Sequence, residues 1–161
     1  MIEDARLLRQ QKNFDEAVLQ IDSCYTICKS ISFSKCSNYL DIERNAIYST
    51  ILESMISKNS AILEKNLYNN FLSVTDSVFK FQDKYQSYIT NRGLFFEHLN
   101  KSYQIMVTNG ESNINGNPSG AMEALTASKQ LCEKFTEVSC NPRVNDLINT
   151  IFGKLYETMV D

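Results

Sequence analysis

The 161-residue sequence contains no tryptophan, a single histidine, two prolines and five glycines. So few turn formers do not suit a β-sandwich or barrel, in which many short strands each need a turn. With only one histidine, any Ser-His or Cys-His catalytic pair would have to use His98. No apolar run approaches the roughly 18 residues that a membrane helix needs, so no membrane partner is expected. Charge is also modest: 16 basic residues against 19 acidic ones leave a net charge of −3. That lacks the clustered basic surface of a chain that grips nucleic acid or anionic lipid. Gly110, Gly116 and Gly120 are neither followed by Lys-Ser/Thr nor preceded by a strand pattern, so no phosphate-binding loop is present.

The five cysteines, Cys24, Cys28, Cys36, Cys132 and Cys140, are odd in number, which does not suggest a closed disulfide framework. Cys24 and Cys28 share a helical face with Ile21 and Ile31 and read as small core hydrophobes. Two alternatives stand beside that reading. One is a metal site built from Cys24, Cys28, Cys36 and His98, although the paired C-x₂-C spacing of structural zinc sites is missing. The other is a disulfide such as Cys132–Cys140 across a helix–loop junction. This cysteine usage predicts a reducing, cytoplasmic setting. The N-terminus begins Met-Ile-Glu-Asp-Ala-Arg, with no apolar leader core. A secreted chain with its leader removed would read the same way.

What the sequence has in abundance is helical periodicity: apolar positions recur at three and four almost throughout. A short helix over 2–11 carries Ile2, Ala5 and Leu8. Asn13 caps the next, with Glu16 as the reciprocal partner of a capping box. That helix runs Phe14, Ala17, Val18, Ile21, Cys24, Cys28 and Ile31 along one face. A serine-rich break over 32–37 precedes a third helix at about 38–57, ending at Lys58-Asn59-Ser60. Over 61–90 the pattern resumes as one helix, or as two that break near Leu72-Ser73. Gly93, after Asn91-Arg92, provides a left-handed stop. Leu94, Phe95, Leu99, Tyr103 and Met106 mark another helix. Residues 109–120, with three Gly, four Asn and a Pro, read as an exposed flexible loop. Ser119 caps a helix over about 120–136. Asn141 and Pro142 open the last helix, striped with Val144, Leu147, Ile148, Ile151, Leu155 and Met159. The expectation is one all-α domain over 1–161, of seven or eight antiparallel helices in a helical-hairpin array or bundle.

Ala5, Leu8, Ala17, Ile21 and Cys24, around the turn Lys12-Asn13-Phe14-Asp15, fall at spacings that resemble a tetratricopeptide-type helical hairpin. Small residues at Ala5, Ala17 and Cys24 let two antiparallel helices approach closely. Residues 120–125 (Gly-Ala-Met-Glu-Ala-Leu) look like a second such helix. The resemblance covers about 20 residues, and no 34-residue period runs through the middle of the chain. It implies helix hairpins that bind another protein.

No catalytic constellation stands out. Glu97-His98 lacks the Glu-x-x-His spacing of di-iron bundles, and the carboxylates are spread as on a solvated face. The chain therefore reads as non-enzymatic, with no cofactor. Aromatic residues crowd 71–103, and neither Phe79 with Phe81 nor Phe95 with Phe96 fits a narrow helical stripe. Such helices are either central or covered by another chain. Lys80, Lys84 and Arg92 are too few for a nucleic-acid groove. The expected function is a protein–protein interaction module that binds a partner or itself through an apolar helical surface, with Phe79, Tyr85, Tyr88, Phe96 and Tyr103 as partner-binding residues. The alternative is a structural or assembly component of a virus particle or other large complex; 16 Asn and 17 Ser are compatible with an AT-rich genome.

Overall fold

The computed structural model describes residues 1–31 and 36–160, with side chains up to Glu157. The described residues form seven α-helices: α1 (Ile2–Gln10), α2 (Phe14–Ser30), α3 (Cys36–Glu64), α4 (Tyr68–Lys84), α5 (Gly93–Asn113), α6 (Pro118–Lys134) and α7 (Val144–Val160). The all-α expectation holds. Ser32 to Lys35 of the serine-rich break, and the Met159 side chain, lie outside what is described.

The chain divides into two compact units. One comprises Met1–Ser57 and Val78–Arg92, the other Lys58–Ser77 and Gly93–Asp161, so α3 and α4 contribute to both. The core of the first unit gathers Ala5, Ala17, Ile21, Cys24, Cys28, Leu40 and Ile47. On α2 the buried positions fall at spacings of four, three and four, the stripe that the helical period dictates. Glu43 of α3 is also buried; its two carboxylate oxygens accept from Arg6 Nε (3.3 Å) and Arg9 Nε (2.8 Å) of α1. In the second unit Phe71, Phe95, Leu99, Tyr103, Met106, Leu125, Leu131 and Ile151 are buried. There α6 packs against both α5 and α7.

Several boundaries differ from the sequence reading, each for a local reason. α3 does not stop at Lys58-Asn59-Ser60, because Asn59 is buried and hydrogen-bonded within the helix stack rather than released to a turn. The break within 61–90 falls at 65–67, not near Leu72-Ser73. Left-handed backbone occurs at Lys12 (φ 61°) and Asn66 (φ 57°), whereas Gly93 simply opens α5. Both left-handed residues close a helix in the same way. Asn13 N–H bonds Leu8 O at 2.9 Å and Leu67 N–H bonds Ile62 O at 3.4 Å, each spanning five residues. Asn13 makes no side-chain cap; its amide instead donates to Glu16 Oε2 at 2.8 Å. The loop expected over 109–120 shrinks to 114–117, since α5 continues to Asn113 and α6 starts at Pro118. The cap of α6 is Asn117, which accepts from Gly120 N–H at 3.0 Å, rather than Ser119.

Two disulfides are present, Cys28–Cys36 and Cys132–Cys140, each eight residues apart in sequence. Cys28 is thus a bridged cysteine and not a free core hydrophobe, while Cys24 remains a buried thiol. Among the described residues no group of His, Cys, Asp and Glu could hold a metal ion.

Candidate functional site

Aromatic rings converge in the first unit, where α3 meets the end of α4. Tyr48 stacks on Tyr85 (centroids 4.5 Å apart) and Tyr88 (5.2 Å), with Phe81 at 6.1 Å. The Arg44 guanidinium lies between two rings, 4.5 Å from the centroid of Tyr25 and 4.1 Å from that of Tyr88. Such stacking favours the planar, weakly hydrated guanidinium. Asp41 accepts from Arg44 at 2.5 Å and from the Tyr25 hydroxyl. Burial, and then the bond to Asp41, push the Tyr25 phenol well above its ordinary range. Burial raises Tyr48 as well, reinforced by Tyr85. The cluster is half-buried; Asp41 engages Tyr25 and Arg44, while Arg44 Nε is buried without a hydrogen-bond partner.

The five residues singled out from the sequence therefore separate. Tyr85 and Tyr88 belong to this cluster. Phe79 lies in the same unit and is 38% exposed. Phe96, in the second unit, is half-buried against Phe95 with centroids 5.5 Å apart. Tyr103 is 1% exposed, and its hydroxyl accepts from Asn141 N–H at 2.5 Å, fastening the segment before α7. It is a core residue, out of a partner's reach.

His98, in the second unit, is also buried. Asn59 Nδ2 donates to Thr75 Oγ1 at 2.8 Å, and Thr75 Oγ1 donates to Phe71 O at 2.8 Å. Asn59 Nδ2 also lies 3.4 Å from His98 Nε2, and Ser60 Oγ lies 3.4 Å from His98 Nδ1. Asn59 Oδ1 is buried without a hydrogen-bond partner. Burial, followed by the charge of Lys101, lowers the His98 pKa to about 4, so the ring is neutral at physiological pH. A cavity of about 100 Å³ beside it is bordered by Ser60, Leu63, Glu64, Lys101 and Ile105. A cleft of about 430 Å³ lies between Tyr68–Asn70 of α4 and Met122, Glu123 and Gln130 of α6.

Exposed apolar residues of the first unit that the sequence reading did not single out for contact include Leu19, Ile27 and Ile31 on α2 and its cap, and Tyr39 and Ile42 on α3. Large apolar side chains are thus exposed on two successive helices of this unit. The signal was available. Leu19 and Ile27 fall off the Ala17–Ile21–Cys24–Cys28 stripe and form a second one eight residues apart. No protein-family model matches the chain, and it has no significant similarity to a curated protein or a solved structure.

Proposed function

We propose that this chain is a non-enzymatic protein-interaction module that binds a partner through an apolar helical surface. The carrying observation is the exposed set Leu19, Ile27, Ile31, Tyr39 and Ile42 on α2 and α3 of the first unit. Sequestering such residues from water is the usual driving force of association. The matching turns after α1 and α3 support a hairpin-repeat architecture of the kind the sequence resembles. Of the residues that the sequence points to, Phe79 remains a candidate for contact, and Tyr85 and Tyr88 pack on Tyr48. The two disulfides support an oxidising compartment in place of the cytoplasmic setting expected from the cysteine count, because such bonds persist where thiols are not kept reduced.

The test is affinity capture from the source organism's own extract, comparing wild type with Ile27→Glu and Ile42→Glu. Both positions are exposed, so folding should survive, as circular dichroism will check. Stoichiometric recovery of a partner by wild type, lost in both variants, is the expected result. Equal recovery by all three would overturn this surface. Recovery of the chain alone in a large assembly would favour a structural component of a particle or complex.

A further inference from the structure

Residues 13–57 and 117–161 share one pattern, offset by 104 residues. Laying 13–57 over 117–161 aligns Asn13 with Asn117, Ala17 with Ala121, Cys28 with Cys132 and Cys36 with Cys140. Further on it aligns Asn45 with Asn149, Ile47 with Ile151, Glu53 with Glu157 and Met55 with Met159. Between the last pairs the residues stay similar, Tyr48 opposite Phe152 and Ile51 opposite Leu155. The structure keeps the same register. α2 and α6 are each 17 residues long and start and stop at equivalent positions. Both disulfides occupy equivalent sites with Cα atoms 5.9 Å apart. Ala17, Ile21 and Cys24 are buried like Ala121, Leu125 and Ser128, and Leu40 and Ile47 like Val144 and Ile151.

Burial departs from this equivalence in two places: Ile27 and Ile31 are 45% and 60% exposed where Leu131 and Phe135 are buried, and the face shared by α3 and α7 differs as well. On α3, Tyr48 is half-buried and Leu52 is 1% exposed. The segment Val78–Arg92, which brings Phe81, Tyr85 and Tyr88 against Tyr48, belongs to that unit. On α7 the equivalents Phe152 and Tyr156 are 65% and 71% exposed. Among the described residues no segment performs for α7 what Val78–Arg92 performs for α3.

We infer that the α7 face carrying Phe152 and Tyr156 is a docking site for an amphipathic helix of a partner protein. That helix and the turn that ends it present aromatic rings at the spacing of Phe81, Tyr85 and Tyr88. The occupant is read from the first copy, where the last turn of α4, with Phe81, and the turn after it, with Tyr85 and Tyr88, pack on the equivalent face. Charge agrees: α7 carries Asp146 and Glu157 against Lys154, while 78–92 carries Lys80, Lys84 and Arg92 against Asp83. The docking helix is accordingly basic. A second copy of this chain is not the occupant, because its own Phe81–Tyr88 segment is already packed on Tyr48. Stacked or edge-on aromatic pairs add to plain area burial and explain the preference for rings. The inference deepens the proposed interaction role but uses a different surface from Leu19–Ile42.

The probe is a synthetic peptide of residues 74–92, titrated into the full chain and read by fluorescence anisotropy and by two-dimensional NMR. Wild type is expected to bind it with shifts centred on α7. Phe152→Asp and Tyr156→Asp, at exposed positions, are expected to weaken binding at least tenfold. A peptide with Phe81, Tyr85 and Tyr88 all changed to Ala is expected not to bind. Affinity unchanged in both α7 variants, or lowered by Tyr48→Ala and not by them, would overturn the inference, as the peptide would then be exchanging with its own segment. Sedimentation showing a wild-type dimer that Phe152→Asp dissociates would also overturn it. Failure here, with capture still lost in Ile27→Glu, would leave the broader reading standing.

Discussion

Gly110 of α5 lies so close to Leu125 of α6 that a Cβ at that position would sit 2.5 Å from Leu125 Cγ. The absent side chain lets the two helices meet at their crossing. Ala5 and Ala17 serve the same end in the first hairpin, both fully buried where α1 packs on α2. This contact also explains why a glycine-bearing stretch that reads as loop continues as helix: packing at Gly110 outweighs its propensity cost of about 1 kcal/mol.

Gly110→Ala is therefore expected to destabilise, although alanine is the better helix former. Overpacking against Leu125 should exceed the propensity gain and leave a net loss of about 1–2 kcal/mol. Urea denaturation measures it, and the loss should be smaller when Gly110→Ala is introduced into a Leu125→Ala background.

His98 gives stability a pH dependence. Its folded pKa of about 4 lies below the ordinary 6.5, so on acidification the unfolded chain takes up the proton first. The contribution is fully present above pH 6.5 and disappears as pH falls toward 4. Between pH 7 and 5 the loss should be about 2 kcal/mol. His98→Gln should flatten that window, as denaturation midpoints at the two pH values will show.

Each disulfide closes a short loop, with partners eight residues apart. Chain entropy for a loop of that size corresponds to roughly 2 kcal/mol. Cys132→Ser with Cys140→Ser should lower stability by about that amount, and reductant should add no further loss from that site. Thermal melts with and without reductant separate the two bridges.

Glu43 is buried between Arg6 and Arg9, and its equivalent under the 104-residue offset is Leu147. Glu43→Ala should cost about 2 kcal/mol or more, since it removes both ion pairs and leaves a cavity. Glu43→Leu should cost less, because leucine refills the volume and the partly exposed arginines can turn to water. Equal losses would assign the stability to the ion pairs and not to the packing.

The helical class was legible because period-3.6 stripes such as Ala17–Ile21–Cys24–Cys28 are written directly in the order of residues. The junctions were not. Lys58-Asn59-Ser60 has the composition of a turn, and only Thr75 and His98, distant in sequence, show why Asn59 stays in a helix. Lys12 and Asn66 carry no glycine signal, yet both take the left-handed conformation. The aromatic cluster was half legible: Tyr85 and Tyr88 were named, but Tyr48 and Arg44 join them only through tertiary packing. Tyr103 was misplaced because an aromatic at helical spacing looks alike on a core stripe and a binding stripe.

The short reach of the two bridges also bears on how the molecule matures. Each pair lies within one stretch that leaves the ribosome almost together, so the correct bond can close before the rest of the chain exists. Oxidation therefore needs little sorting among the five thiols. Cys24, the one left over, is withdrawn by the same helix that presents Cys28, and burial raises its pKa. Holding little thiolate, it is a poor nucleophile for reshuffling its neighbours. Each segment can thus be locked as it is made, which lets a repeated pattern carry an odd cysteine without scrambling its bridges.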